Sequence, residues 1–264
     1  MKLFPRATAL LALLATAACR PETPATEQAT PPAGAASAAA PTPATAPATG
    51  PTDTLHLPSG VTQLRPATAA AFNQLAAGGL PDLPNDSTAE HLAPTQGRVR
   101  RAGLDLLLQP AQGSVVKLSS TPNAKFTLQN GEGVKYMYWG SLPAAHQWVV
   151  RAWYWESAGT VLVDQRTGRH VELMGDPVAS PDGRFVLLTS PGLGGGDQAN
   201  MLTLVEVEAT GQRLLWQREP TTWEPAEARW ATPTRAILQL RHTDAEGSIA
   251  DDAPVSYAEL NLER

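Results

Sequence analysis

From residue 104 onward, short apolar runs alternate with Gly, Pro, Asn and Asp, the pattern of strands joined by tight turns. The predicted strands are Leu104–Leu108, Val115–Leu118, Gln147–Trp155, Thr160–Asp164, Phe185–Ser190, Met201–Val207, Arg235–Arg241 and Ser256–Leu262. Ala236, Leu238 and Leu240 share one face of their strand, with Ile237 and Gln239 on the other. In Trp148–Trp155 both faces are apolar or aromatic, so this strand is expected to be covered on both sides. Ahead of the strands the signals are helical and weak. Thr68 is placed to cap a short helix through Phe72, Leu75 and Ala76, ended by Gly78-Gly79. Ser87-Thr88-Ala89-Glu90 has capping-box spacing, but Pro94 leaves room for a turn or two only. Residues 54–100 are therefore expected to hold mostly loops and short helices.

The strands repeat. Val161–Gly168 followed by Arg169–Leu173 aligns with Leu204–Gly211 followed by Gln212–Trp216, and with Leu106–Gly113 followed by Ser114–Leu118. Each unit is an apolar strand, a turn ending in Gly and a second strand, with Gly where a hairpin needs positive φ. A second element precedes one hairpin: Ala179-Ser-Pro-Asp-Gly-Arg-Phe185. It resembles the Ser-Pro-Asp-Gly-Arg signature of TolB-like and WD40-like propeller blades. Thr121-Pro-Asn-Ala-Lys-Phe126 reads as a degraded copy, and Trp230-Ala-Thr-Pro-Thr-Arg235 occupies the corresponding place near the end. The glycine spacings, 113 to 168 and 168 to 211, bracket the roughly 40–50 residues of a four-stranded blade.

Two nearly complete blades are predicted, over about 133–173 and 176–217. A third runs from about 226 to 264 without an obvious last strand, and fragments over 104–128 supply a fourth. The expected fold is all-β, a small or partial β-propeller-like repeat of four-stranded antiparallel blades. Leu104–Leu108 is a candidate for the strand that completes the ring. The alternative is a β-sandwich whose hairpins look alike by coincidence.

The N-terminus changes the picture from fold to location. Lys2 and Arg6 make a short basic region ahead of an apolar stretch with Leu10, Leu11, Leu13 and Leu14, and the small residues Ala15-Thr16-Ala17-Ala18 precede Cys19, the chain's single cysteine. The stretch is shorter than the roughly 20 residues needed to span a bilayer, so 1–18 reads as a removable signal. The small residues before a cysteine resemble the lipobox of bacterial lipoproteins, although Thr16 stands where that family usually has Leu, Val or Ile. The resemblance implies lipidation at Cys19. Plain secretion is the rival, with Ala15-Thr16-Ala17 as the cleavage site and Cys19 left as an unpaired thiol. Residues 20–53 are almost entirely Ala, Pro and Thr, a disordered tether able to reach roughly 100 Å. Arg20 follows the cysteine in place of the Asp that retains lipoproteins in the inner membrane of enteric bacteria. By that resemblance the outer membrane, facing the periplasm, is expected.

Residues 54–264 are enough for one domain with a substantial core. Signal removal takes away Lys2 and Arg6 of the 20 Lys and Arg and none of the 25 Asp and Glu, leaving a net charge of −7. A nucleic-acid partner is not expected from such a surface. The one cysteine excludes disulfides, thiol catalysis and cysteine zinc sites. No Gly-x-Ser-x-Gly elbow or His-Glu-x-x-His motif is present, and the five histidines (His56, His91, His146, His170, His242) are scattered. Gly192–Asp197 lacks the Lys-Ser/Thr and the following helix of a phosphate loop and reads as a long hairpin loop. Asp244, Glu246, Asp251 and Asp252 read as a solvated acidic loop.

No catalytic, metal or cofactor residue is assigned, and an enzyme is the less favoured reading. Most of the seven tryptophans are expected in the core. Trp223 is the surface candidate because Thr221–Pro225 reads as an inter-blade loop, so Trp223 and Glu224 are candidate partner-binding residues. The expected protein is a lipid-anchored envelope lipoprotein whose domain binds another envelope protein. The competitors are an envelope hydrolase with a loop-built site and a periplasmic immunity-type lipoprotein.

Overall fold

A computed structural model describes residues 53–57, 60–83, 90–127, 133–195 and 198–262. The signal segment, Cys19, the arm over 20–52 and the first three residues of the capping-box segment lie outside the described residues. The described chain opens with β1 (Asp53–Leu57) and β2 (Gly60–Ala67), then the helix α1 (Ala69–Asn73). Thr68 is its cap: Oγ1 accepts the Ala71 N–H at 3.1 Å, satisfying a donor the first turn cannot pair internally.

Four antiparallel sheets follow in chain order. The first holds β3 (Val99–Ala102), β4 (Asp105–Leu108) and β5 (Val116–Ser119). The second holds β6 (Lys135–Leu142), β7 (Gln147–Trp153), β8 (Ala158–Asp164) and β9 (His170–Met174). The third holds β10 (Asp176–Ala179), β11 (Phe185–Ser190), β12 (Met201–Glu208) and β13 (Gly211–Arg218). The last holds β14 (Trp223–Thr232), β15 (Arg235–His242) and β16 (Val255–Asn261). β2 adds to β16, and β1 to β2, giving the order β1-β2-β16-β15-β14. The fold is all-β, as the strand pattern predicts, and the second and third sheets fall on the two predicted blades.

Each interface between consecutive sheets is an apolar cluster. Leu106, Leu108, Val116 and Leu118 of the first sheet meet Trp148, Val150 and Val163 of the second. Val149 and Leu162, on the opposite face of the second sheet, meet Val186, Leu188 and Val205 of the third. The third and last sheets share Leu187, Leu204, Trp216, Trp230 and Leu238, joined by Leu55 and Leu64 from β1 and β2. This is why β7 is apolar on both faces: it lies between two interfaces. Each fully buried leucine contributes about 1.5–3 kcal/mol.

Among the described residues no cluster joins the last sheet to the first, and the two ends are finished differently. The outer face of the first sheet carries Arg100, Asp105, Lys117 and Ser119, with Leu107 half-buried among them. The outer face of the last sheet is covered by α1. The Phe72 ring lies 5.2 Å from that of Tyr257, and the Arg229 guanidinium sits 4.2 Å from the Phe72 centroid. A stack of sheets needs covered ends in the way a repeat array needs capping units.

The turns explain the repeated residues. The hairpin glycines Gly113, Gly168 and Gly211 have φ of 87°, 76° and 125°, which side chains avoid. In the Ser-Pro-Asp-Gly turn, Ser180 Oγ donates to Asp182 Oδ1 at 2.7 Å and accepts the Phe185 N–H at 3.0 Å. Gly183 has φ 72°, and a Cβ there would lie 1.8 Å from the Ala144 carbonyl oxygen of the neighbouring sheet's turn. Phe185 then enters the interface with the last sheet and stacks on Trp230 at 6.4 Å.

Residues 54–100 hold, beside their loops and short helices, strands β1 and β2 and the start of β3; only Leu55 and Leu64 in β1 and β2 are fully buried, so the apolar pattern there is sparse. Two expectations are corrected. Leu104–Leu108 belongs to the first sheet, and it is β2 that completes the last one, through Arg65–Ala67 paired with Tyr257–Glu259. Thr121–Phe126 is no blade turn: it forms a short 3-10 turn over Asn123–Lys125 between two sheets. The turn equivalent to the signature is Pro143–His146, between β6 and β7, with His146 at φ 51°.

The connector between β2 and β3 passes along the sheets in reverse. Arg229 of β14 donates to the Phe72 and Leu75 carbonyls, Gly78 lies against Val178 of β10, and Leu80 lies against Gly140 of β6. The Trp139 indole N–H then donates to the Pro81 carbonyl at 2.7 Å. β14, β10 and β6 are the edge strands of their sheets, so the connector runs along one edge of the whole arc.

Candidate functional site

Two hollows flank the end of the second sheet where β6 begins and β7 ends. One, of about 690 Å³, opens toward the first sheet and is lined by Glu90, Arg101, Leu104, Tyr136 and Lys135 among others. The other, of about 410 Å³, opens toward the third sheet and is lined by Asp82, Leu83, Trp139, Arg151 and Asp176. Met137 and Trp153 line both, so the two form one cleft across the sheet end.

Arg151 organises the smaller hollow. It projects from β7 and is 8% exposed. Its guanidinium lies 3.9 Å from the Trp139 centroid and 5.7 Å from that of Trp153, and Nη2 donates to Asp176 Oδ1 at 2.5 Å. Trp139 reaches this position as the extra residue of a β-bulge, between Tyr138 paired with Val150 and Gly140 paired with Val149. Arg151 Nε is buried without a hydrogen-bond partner among the described residues. A guanidinium held between indole faces exchanges that bond for cation–π attraction, about 2 kcal/mol or more when desolvated. Trp153 is nonetheless 41% exposed, and Trp155, two residues on, is 46% exposed beside Phe126 at 5.8 Å.

The larger hollow has a closed back wall. Arg101 and Glu90 form a two-point ion pair. Glu90 Oε1 also accepts the Tyr138 N–H at 2.7 Å, and Arg101 Nη2 donates to the Tyr136 carbonyl at 2.8 Å. The Tyr136 N–H is taken by Ser120 Oγ at 2.9 Å. These side chains fill the place an inner strand would take along β6. Burial raises the Tyr138 phenol above its ordinary pKa of 10.0, partly offset by its bond to Ser141. Burial, then the charge of Glu172, does the same to Tyr136, and burial alone raises Glu172.

The residues singled out in the sequence lie elsewhere. Trp223 and Glu224 begin strand β14 instead of lying in a loop, and are 3% and 2% exposed. Trp223 is part of the apolar cluster between the third and last sheets. Glu224 pairs with Arg241 at 2.9 Å and accepts the Leu193 N–H at 3.1 Å, holding the backbone shortly after β11. Neither side chain is free to meet a partner. Trp148, Trp216 and Trp230 are buried as expected, but Trp153 and Trp155, expected to be covered, are open.

His56, His91, His146 and His170 are exposed on separate elements. His242 bonds Ser256 Oγ at 2.6 Å, and burial lowers its pKa from 6.5. In the acidic loop Asp244 Oδ1 accepts the Glu246 and Ser248 N–H groups and so shapes a turn. Among the described residues no group of three His, Cys, Asp or Glu is placed to hold a metal ion, and no helix is long and apolar enough to cross a membrane. The chain matches no protein-family model, no curated protein and no solved structure.

Proposed function

We propose that the chain is an envelope lipoprotein, anchored by lipid on Cys19, whose arc of sheets is a recognition module that captures its ligand in the cleft over Met137 and Trp153. The observation that carries this is the construction of the cleft. Arg151 is fixed by Asp176 and packed on Trp139, yet it leaves Trp153 largely open. Rigid aromatic anchors beside satisfied polar groups are the make-up of recognition hot spots. The Ala/Pro/Thr arm supports the anchored reading, since it would hold the module away from the bilayer.

Two experiments test the proposal. Palmitate labelling of cells should mark the wild-type chain, and Cys19→Ser should abolish both the label and membrane retention; unchanged retention of an unlabelled product refutes the anchor. Pull-down of the lipidated chain from envelope extracts should recover a ligand or partner that Trp153→Ala loses. Turnover on a hydrolase panel with no recovered ligand refutes the binding module.

A further inference from the structure

We infer that the cleft takes a neutral oligosaccharide, a refinement that rests on the binding-module reading above. Three features select this class. The first is the aromatic platform. Trp153 offers an open indole face whose position is set by Arg151, and the apolar C–H face of a sugar ring stacks on such a π surface, whose face carries partial negative charge. Trp155, two residues along the chain and outside the lining of both hollows, is a second exposed indole, packed against Phe126.

The second feature is charge. The lining carries no net charge: Glu90 pairs with Arg101 and Arg151 with Asp176, while Lys135 and Asp82 add one charge of each sign. A charged ligand therefore meets no excess of opposite charge. A polyol needs only the remaining hydrogen-bonding capacity of planar groups such as Asp82, Asp176 and the Arg151 guanidinium. The third feature is the state of the β6 edge. An extended peptide would bind here by adding a strand, through backbone hydrogen bonds. The Tyr136 N–H and carbonyl and the Tyr138 N–H are already taken by Ser120, Arg101 and Glu90. The cleft therefore offers side-chain and ring contacts but no backbone ladder.

The test is titration of the full, detergent-solubilised chain with a panel of neutral oligosaccharides (chitotetraose, cellotetraose and maltotetraose), read by calorimetry and by tryptophan emission. At least one should bind and shift the emission. Trp153→Ala should weaken that binding at least tenfold, Trp153→Tyr should recover part of it, and Asp82→Ala, at an exposed rim position, should weaken it severalfold. Circular dichroism confirms that each variant stays folded. No binding by any panel member at millimolar concentration, or binding unaffected by Trp153→Ala and Asp82→Ala, overturns the inference. If the panel fails while the envelope pull-down still yields a protein that Trp153→Ala loses, the oligosaccharide is refuted and the binding module stands. If both fail, the module reading falls with it.

Discussion

Glu90 accepts the backbone N–H of Tyr138 at 2.7 Å, 48 residues away in sequence, and so closes the edge of a sheet with a side chain. The same carboxylate holds Arg101, whose guanidinium caps the Tyr136 carbonyl. Removing it leaves a backbone donor and a cation without their partner. Glu90→Ala is expected to cost about 2–3 kcal/mol, since bonds to charged groups are worth roughly 1.5–3 kcal/mol each. Thermal unfolding should show a midpoint lower by roughly 5–10 °C. An unchanged midpoint would mean that water replaces the carboxylate freely.

Gly183 should tolerate no side chain. Its φ of 72° and the 1.8 Å approach of a Cβ to the Ala144 oxygen combine backbone strain with a clash between two sheets. Gly183→Ala is expected to lose about 3 kcal/mol or more, well above the roughly 1 kcal/mol that a positive φ alone costs. Denaturant melts of Gly183→Ala beside Gly97→Ala, where φ is 81° and a Cβ meets nothing within 4 Å, separate the clash from the strain.

Acid should unfold the chain partly through Asp164. Burial pushes this carboxyl up, but the Arg166 side chain, the Thr167 and Arg166 N–H groups and the Arg166 charge together bring it below its ordinary 3.8. A carboxyl depressed in the folded state stabilises it above the unfolded pKa, and that stability is lost as pH falls through the folded value. Asp164→Asn should therefore be less stable at pH 7, with the gap narrowing below about pH 4. Parallel denaturant melts across pH check this; a gap independent of pH excludes it.

His242 acts at milder pH. Burial lowers its pKa from 6.5, so the unfolded chain takes up a proton that the folded one resists. Stability should fall as pH drops below 6.5, toward the depressed folded value. His242→Gln should flatten that part of the profile, a comparison readable by thermal melts between pH 7 and 5.

Phe72 covers the open end of the last sheet. It is 2% exposed, and Ile237, at 4%, lies on the same sheet face as Tyr257. Phe72→Ala is expected to cost about 3 kcal/mol and to open an apolar patch. Light scattering should then show association that the wild type lacks at the same concentration.

The interior blades were legible because their information is local. Gly113, Gly168 and Gly211 mark hairpins that the chain closes within a few residues, and Ser180–Phe185 writes its own turn. The end of the arc was not legible, because β2 pairs with β16 across some 190 residues and only Leu55 and Leu64 show the core face. Trp223 misled because Thr221-Thr222 and Pro225 read as a loop, whereas Pro225 sits beside a bulge within β14. Arg151 carried the best missed signal: a lone charge in the apolar run Trp148–Trp155, two residues from Trp153, is a buried cation that needs partners. Nothing local said that those partners would be Trp139 and Asp176.

An arc with two unlike end covers obeys a different growth rule from a ring. A ring fixes its number of blades, because the last must meet the first at a set angle. Here the polar face of the first sheet and α1 over the last impose no such count. A sheet inserted between the third and last would need only two matching apolar faces and a longer connector along the edge. The architecture can therefore lengthen by whole sheets beyond the third, leaving the cleft at the second sheet unchanged.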